Sequence, residues 1–235
     1  MNDAAYFQLV KIIARFYRGG RLLGGENLPK HGPAVFVANH LGPQGPIGAI
    51  CTIPLRFYPW IVAEMLDRRL APDYLRLDFV ETTLRMKPPL SRAFAWALSL
   101  VTVPMLTAFG CLPVDRDDYA NSQSALQSSL SLLKAGKFVL VYPEDPRREP
   151  DPQTGMKPFL KGFTRLWELF YAETGERLRF YPVAVHESKS VRLGEPVLFD
   201  PDNPRGLERQ RLKDRLETRI IAMYLGEGEY VDNPT

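Results

Sequence analysis

The chain reads as one α/β domain, a mixed but largely parallel sheet wrapped by helices, with an amphipathic helix at the N-terminus. Three observations carry this reading. Short β-branched and aromatic runs near residues 33–38, 56–63, 137–142 and 179–185 alternate with longer stretches of helical apolar spacing. Gly or Pro fences most of these runs, and strands that alternate with helices pair in parallel through crossovers. The 235 residues, 45% of them hydrophobic, are enough for one full core and argue against two domains.

Residues 3–18 place Tyr6, Leu9, Val10, Ile13, Phe16 and Tyr17 on one helical side, with Lys11, Arg15 and Arg18 opposite. Such a helix can lie in a lipid headgroup layer or pack on its own domain, and the pattern leaves both open. The run at 33–38 has no charge and reads as a buried strand. Residues 46–51 can begin a helix, and 56–63 read as a second strand that Pro59 restricts to an edge or irregular position. Short helices fit 64–87, where leucines interleave with Arg68, Arg69, Arg76, Arg85 and Lys87. Residues 93–114 carry no charge, but Pro104 and Gly110 interrupt them, so they read as a buried or membrane-facing helix followed by a strand rather than a span.

Asp118 is a candidate N-cap for a helix over 119–135, with Leu126, Leu130 and Leu133 inward and Gly136 as its stop. A strand at 137–142, a polar loop at 146–158, a helix over 159–174 ending at Gly175, and a strand at 179–185 follow. A peripheral strand at 191–199 and a terminal helix over 205–225 close the fold, with Leu212, Leu216, Ile220 and Tyr224 inward. The expected layout is an N-terminal helix at 1–20, one domain at 21–225 and a loose tail at 226–235.

A formal charge of +3 and a pI near 8.8 are too mild for a nucleic-acid partner, which would show a concentrated basic stripe. Cys51 and Cys111, both in apolar segments, read as reduced thiols and suit a cytoplasmic location. Asp3, and the lack of a basic head before a clean apolar run, do not suggest a signal peptide. No Cys/His cluster with metal spacing, phosphate-binding Gly-rich loop or nucleophile elbow is present, so neither a metal nor a bound cofactor is expected.

The chemistry gathers where strands stop. Asn39 and His40 follow the first buried strand, and open α/β sheets bind ligands at the carboxyl ends of their strands. An imidazole titrates near neutrality and can take a proton from a hydroxyl nucleophile. Arg116 follows the apolar 111–114 run, while Glu144 and Arg147 follow the 138–141 run. Guanidinium groups there can grip a phosphate through paired hydrogen bonds.

Four blocks stand in order: Asn39-His40, Gly110-Cys111-Leu112-Pro113-Val114-Asp115-Arg116, Tyr142-Pro143-Glu144-Asp145-Pro146-Arg147 and Tyr181-Pro182-Val183-Ala184-Val185. Together with Gly24-Gly25-Glu26-Asn27-Leu28-Pro29 and Phe159-Leu160-Lys161-Gly162, they resemble the sequence blocks of the glycerolipid acyltransferases over about residues 22–186. That resemblance implies acyl transfer from acyl-CoA or acyl carrier protein to a lysophospholipid hydroxyl at a membrane surface. His40 would be the base, and Asn39, Arg116, Glu144, Arg147, Lys161 and Gly162 would hold the acceptor or donor.

Two positions depart from the family pattern. An aspartate stands five residues after the family's histidine, and here that residue is Gly45; a glycine follows the family's third-block glutamate, and here it is Asp145. A carboxylate moved from one cleft wall to the other would let Asp145 orient His40, with Glu64 and Asp67 as weaker candidates; the alternative is that Asp145 is a turn residue of the loop with no such contact. The rival reading is a lipid-binding relative that has lost catalysis.

Overall fold

The computed structural model describes residues 1–18, 20–115 and 123–226. Arg116, the Asp118 cap and the tail beyond residue 226 therefore lie outside the described residues.

Helix α1 (Asp3–Tyr17) starts on an Asn2 side chain that accepts the Ala5 N–H at 2.9 Å. Strands β1 (Arg21–Leu23), β2 (Ala34–Ala38), β3 (Phe57–Val62), β4 (Leu112–Val114), β5 (Phe138–Val141), β6 (Arg179–Val185), β7 (Ser190–Leu193) and β8 (Val197–Leu198) form one sheet. Its order is β1-β7-β6-β2-β5-β3-β4, with β8 alongside β6. Only the pairings of β6 with β7 and with β8 are antiparallel among the described residues. The mixed, mostly parallel sheet with flanking helices is the expected architecture, and the N-terminal helix is present.

The central strand β2 explains why its run is apolar throughout. Val35 and Val37 face a core built with α5 (Gln123–Lys134), α6 (Arg165–Thr174) and α7 (Arg205–Leu225). Ala34, Phe36 and Ala38 face the other way, against α2 (Gln44–Thr52). Both faces of a two-residue repeat are covered, so no position tolerates a polar side chain. Phe36 stacks on Tyr181 at 5.0 Å and meets Phe57 and Phe138 edge-on. Such aromatic pairs add about 0.5–1.5 kcal/mol each beyond burial.

Pro59 does not put β3 on an edge. Phe57 to Pro59 pair with β5, whereas Trp60 to Val62 pair with β4, so the strand changes neighbour at the residue that has no N–H. Pro104 does not end its helix either: α4 (Leu90–Phe109) continues through it, with Pro104 on the exposed side, and stops at Gly110, whose φ is +78°. The 191–199 segment splits at Gly194 into β7 and β8. The helix expected over 159–174 begins late, at Arg165 after a short 3₁₀ turn at Gly162–Thr164.

α1 is built into the domain. Tyr6 is fully buried, meets Phe109 edge-on at 5.2 Å, and its hydroxyl accepts the Phe57 N–H at 3.2 Å. Gly48 of α2 permits this approach, because a Cβ there would meet the Tyr17 hydroxyl at 2.9 Å. Between β3 and β4 the chain inserts a helical unit: a 3₁₀ turn at Ala63–Leu66, α3 (Ala71–Leu75), a π-helical turn at Arg76–Val80, and α4.

Candidate functional site

Because β2, β3, β4, β5 and β6 are parallel, their carboxyl ends line one edge of the sheet, and His40, Glu144 and Glu64 all follow strands there. Asn39 fixes where β2 ends. Its side chain acts as one more rung of the ladder: Nδ2 donates to the Val185 carbonyl at 3.0 Å, and Oδ1 accepts the Val185 N–H at 2.7 Å. Buried and committed on both sides, Asn39 is a bracket that aims the next residue, not a group facing a ligand as the resemblance implied.

Glu144 completes the bracket from β5. One carboxylate oxygen accepts the His40 backbone N–H at 2.6 Å, and the other accepts the Lys157 N–H at 3.0 Å. Burial raises the pKa of Glu144, while those two N–H groups and the Lys157 charge pull it down and Glu217 adds to the rise. Each oxygen accepts one backbone N–H, so Glu144 braces the cleft, and each keeps a further lone pair.

His40 keeps surface open to solvent while protein crowds its ring, which meets Tyr142 edge-on at 5.6 Å and 87°. Desolvation pushes its pKa below the ordinary histidine value; the Asp78 charge and the residue's own backbone carbonyl oppose the shift, and Lys157 reinforces it. A neutral imidazole at an open sheet edge is the form that a general base requires.

The proposed exchange of carboxylates is not what the geometry shows. Asp145 is buried, and its two oxygens accept from Nε of Arg147 at 2.9 Å and from its Nη2 at 3.2 Å. The Arg147 N–H adds a third bond at 3.1 Å, and the guanidinium beside it holds the carboxyl below its usual pKa. A cation two residues away in the same turn out-competes a ring across the cleft. Arg147 thus comes to any phosphate already paired, though its side chain is 72% exposed.

Gly45 sits in the first turn of α2, and a Cβ built on it would meet the Asn39 carbonyl at 3.0 Å and His40 Cα at 3.4 Å. The position five residues after His40 therefore turns back onto His40, as an orienting carboxylate there would need to do. The acidic side chain whose charge bears on the ring is Asp78, from the π-helical turn of the insert. Glu64 follows β3, and one of its carboxylate oxygens is buried without a hydrogen-bond partner, whereas Asp67 turns to cap the Arg69 N–H at 2.7 Å.

Lys161 is exposed, with its carbonyl accepting from Thr164, and Gly162 is buried at the start of the 3₁₀ turn. Lys157 was missed. Its charge acts on both His40 and Glu144, and its Nζ donates to the Pro146 carbonyl at 3.0 Å. Nothing in the sequence distinguished Lys157 or Asp78 from other surface charges, because their positions depend on paths of the loop and the insert. His186 forms a local loop with Ser188 and leans on Tyr224. Burial pushes Cys51 up to about 11 and Cys111 up to about 12, so both are thiols at neutral pH.

No protein-family model matches the chain, and no curated protein matches it by sequence. Among solved structures, it is similar to the 1-acyl-sn-glycerophosphate (LPA) acyltransferase PlsC from Thermotoga maritima, with a TM-score of 0.56 and 15% sequence identity. The match covers 99% of this chain and 86% of that one. At this identity the likeness shows a shared fold.

Proposed function

We propose that this protein transfers a fatty acyl group from a thioester donor, acyl-CoA or acyl carrier protein, to a hydroxyl of a lysophospholipid or related glycerophosphate-type acceptor. The observation that carries the reading is His40, aimed from the end of β2 by Asn39 and Glu144 and kept neutral by desolvation. Neutral His40 takes the acceptor's hydroxyl proton as the oxygen attacks the thioester carbonyl. The tetrahedral intermediate then collapses, the C–S bond breaks, and the leaving thiolate recovers the proton from the imidazolium. The products are an ester and a free thiol, and no further cofactor is required.

Arg147, Lys157, Lys161 and Arg116 are the cations proposed to meet the acceptor phosphate. The protein would work as a peripheral protein on the cytoplasmic side of a membrane. Gly45 supports a second reading, that of a lipid-binding relative without turnover, since Asp145 is committed to Arg147 and does not replace the missing carboxylate. Incubation with labelled acyl-CoA and lysophosphatidate separates the two: ester and free thiol formed together support the first, and saturable lysophosphatidate binding without either product supports the second.

A further inference from the structure

Helix α4 is packed inside out. The residues it buries recur every four positions and are mostly small: Ser91, Ala95, Ser99 and Val103. The residues it turns outward are large and apolar: Leu90, Phe94, Trp96, Leu100 and Val101, with Trp96 58% and Val101 67% exposed. A soluble helix does the reverse. Close approach through small residues, with large side chains outside, is how helices pack when their surroundings are apolar.

The polar groups of α4 fit the same surroundings. The hydroxyls of Ser99, Thr102 and Thr107 bond back to the carbonyls of Trp96, Leu98 and Val103, so none depends on water. Arg92 is the single charged residue among its 20. Only 22% of the most apolar part of the helix is buried. Of the 14 exposed large hydrophobics among the described residues, eight lie in the 63–109 insert, and five of those are on α4.

Charge identifies the occupant. Glu81 lies against the first turn of α4, where it accepts the Ser91 hydroxyl at 2.7 Å and pairs with Arg76, but from residue 82 to residue 114 there is no acidic residue, while Arg85, Lys87 and Arg92 stand at the start of α4. A cationic margin beside an apolar face, with a tryptophan on it, suits the boundary between anionic headgroups and acyl chains. The helix does not cross this boundary: β3 and β4, which flank the insert, pair with each other from Trp60↔Leu112 to Val62↔Val114, and the buried side of α4 packs on the insert's Leu75 and Val80 at Ala95 and on α1 at Phe109.

We propose that α4 lies flat in the interface of an anionic bilayer, its Leu90, Phe94, Trp96, Leu100 and Val101 face in the acyl boundary and Arg85, Lys87 and Arg92 among the phosphates. The insert leaves β3 at the sheet edge where β2 delivers His40, so this seating brings the cleft to the lipid. For its purpose the inference rests on the reading of a lipid acceptor, but its test does not need turnover.

The test uses the full chain and sedimentation with phosphatidylcholine vesicles, with or without phosphatidylglycerol. The double variant Leu100→Glu/Val101→Glu alters two exposed positions and is expected to keep the wild-type Tm and far-UV spectrum. Wild type should partition onto the anionic vesicles, and the double variant should bind at least about tenfold more weakly. Trp60 and Trp167 are buried, so a blue shift on binding that disappears in Trp96→Phe locates the contact. Equal binding by variant and wild type, equal binding to both vesicle types, or a wild-type dimer that the double variant breaks without any vesicle binding would each overturn the proposal. Transfer between soluble short-chain substrates, assayed in parallel, reports on catalysis separately: its absence would count against the proposed function and leave the vesicle result to decide the seating.

Discussion

Glu144 accepts the backbone N–H of His40 at 2.6 Å, so the acid after β5 holds the base after β2 through main chain rather than through the ring. Its other oxygen holds the Lys157 N–H, and one side chain thereby ties a strand end to the loop that carries the nearby cation. Glu144→Ala removes the charged acceptor of both N–H groups and should cost about 1–3 kcal/mol in denaturant unfolding. Glu144→Gln keeps one acceptor oxygen and should lose less. Equal stability of all three proteins would show that the brace is not formed in solution.

The pH dependence follows from the sign of the His40 shift. Its folded pKa lies below the ordinary value, so the rate should hold through neutrality and fall only on an acid limb below about 6.5. The unfolded chain binds the proton more readily, so this group adds stability above that unfolded value and loses it as pH falls through the folded pKa. Asp78→Asn should move the acid limb further down and Lys157→Met should move it up. Nuclear magnetic resonance titration of the His40 ring in both variants checks this, and shifts of the same sign would refute the assigned environment.

Gly45→Asp tests the vacant position directly. The new Cβ meets the Asn39 carbonyl at 3.0 Å, so a cost of about 1–3 kcal/mol is expected from crowding. The carboxylate should raise the His40 pKa and increase turnover, since loss of an orienting carboxylate costs a serine protease about 10⁴ in rate. A properly folded variant with unchanged turnover and unchanged His40 titration would show that this position does not reach the ring.

Asp145→Asn should leave turnover within about twofold of wild type and change the acceptor KM through the released Arg147, because the carboxylate serves the guanidinium. A fall as deep as that of His40→Ala would restore Asp145 as the histidine's partner.

Much of the fold was legible because its signals are local. The apolar run of β2, the caps at Gly175 and Gly226 and the stripe Leu212, Leu216, Ile220 each mark an element within its own residues. What was not legible depends on distant partners. Strand β1 has three residues and exists because β7 lies beside it; Pro59 is tolerated because β3 exchanges β5 for β4; Phe159 stays out of α6 because it bridges Glu144. At the site, His40 and Glu144 were marked by their place after apolar runs, but sequence did not show that Asn39 and Glu144 would serve as braces. Asp78 reaches His40 only through the course of the insert, which no spacing encodes.

The central claim is that His40 is the base of an acyl transfer, and single-turnover transfer from labelled acyl-CoA to lysophosphatidate measures it most directly. Wild type should form the ester at a rate that His40→Ala lowers by about 10²–10⁴-fold, with lysophosphatidate binding retained. Equal ester formation by the two proteins, or none by wild type while it binds lysophosphatidate, would contradict the account.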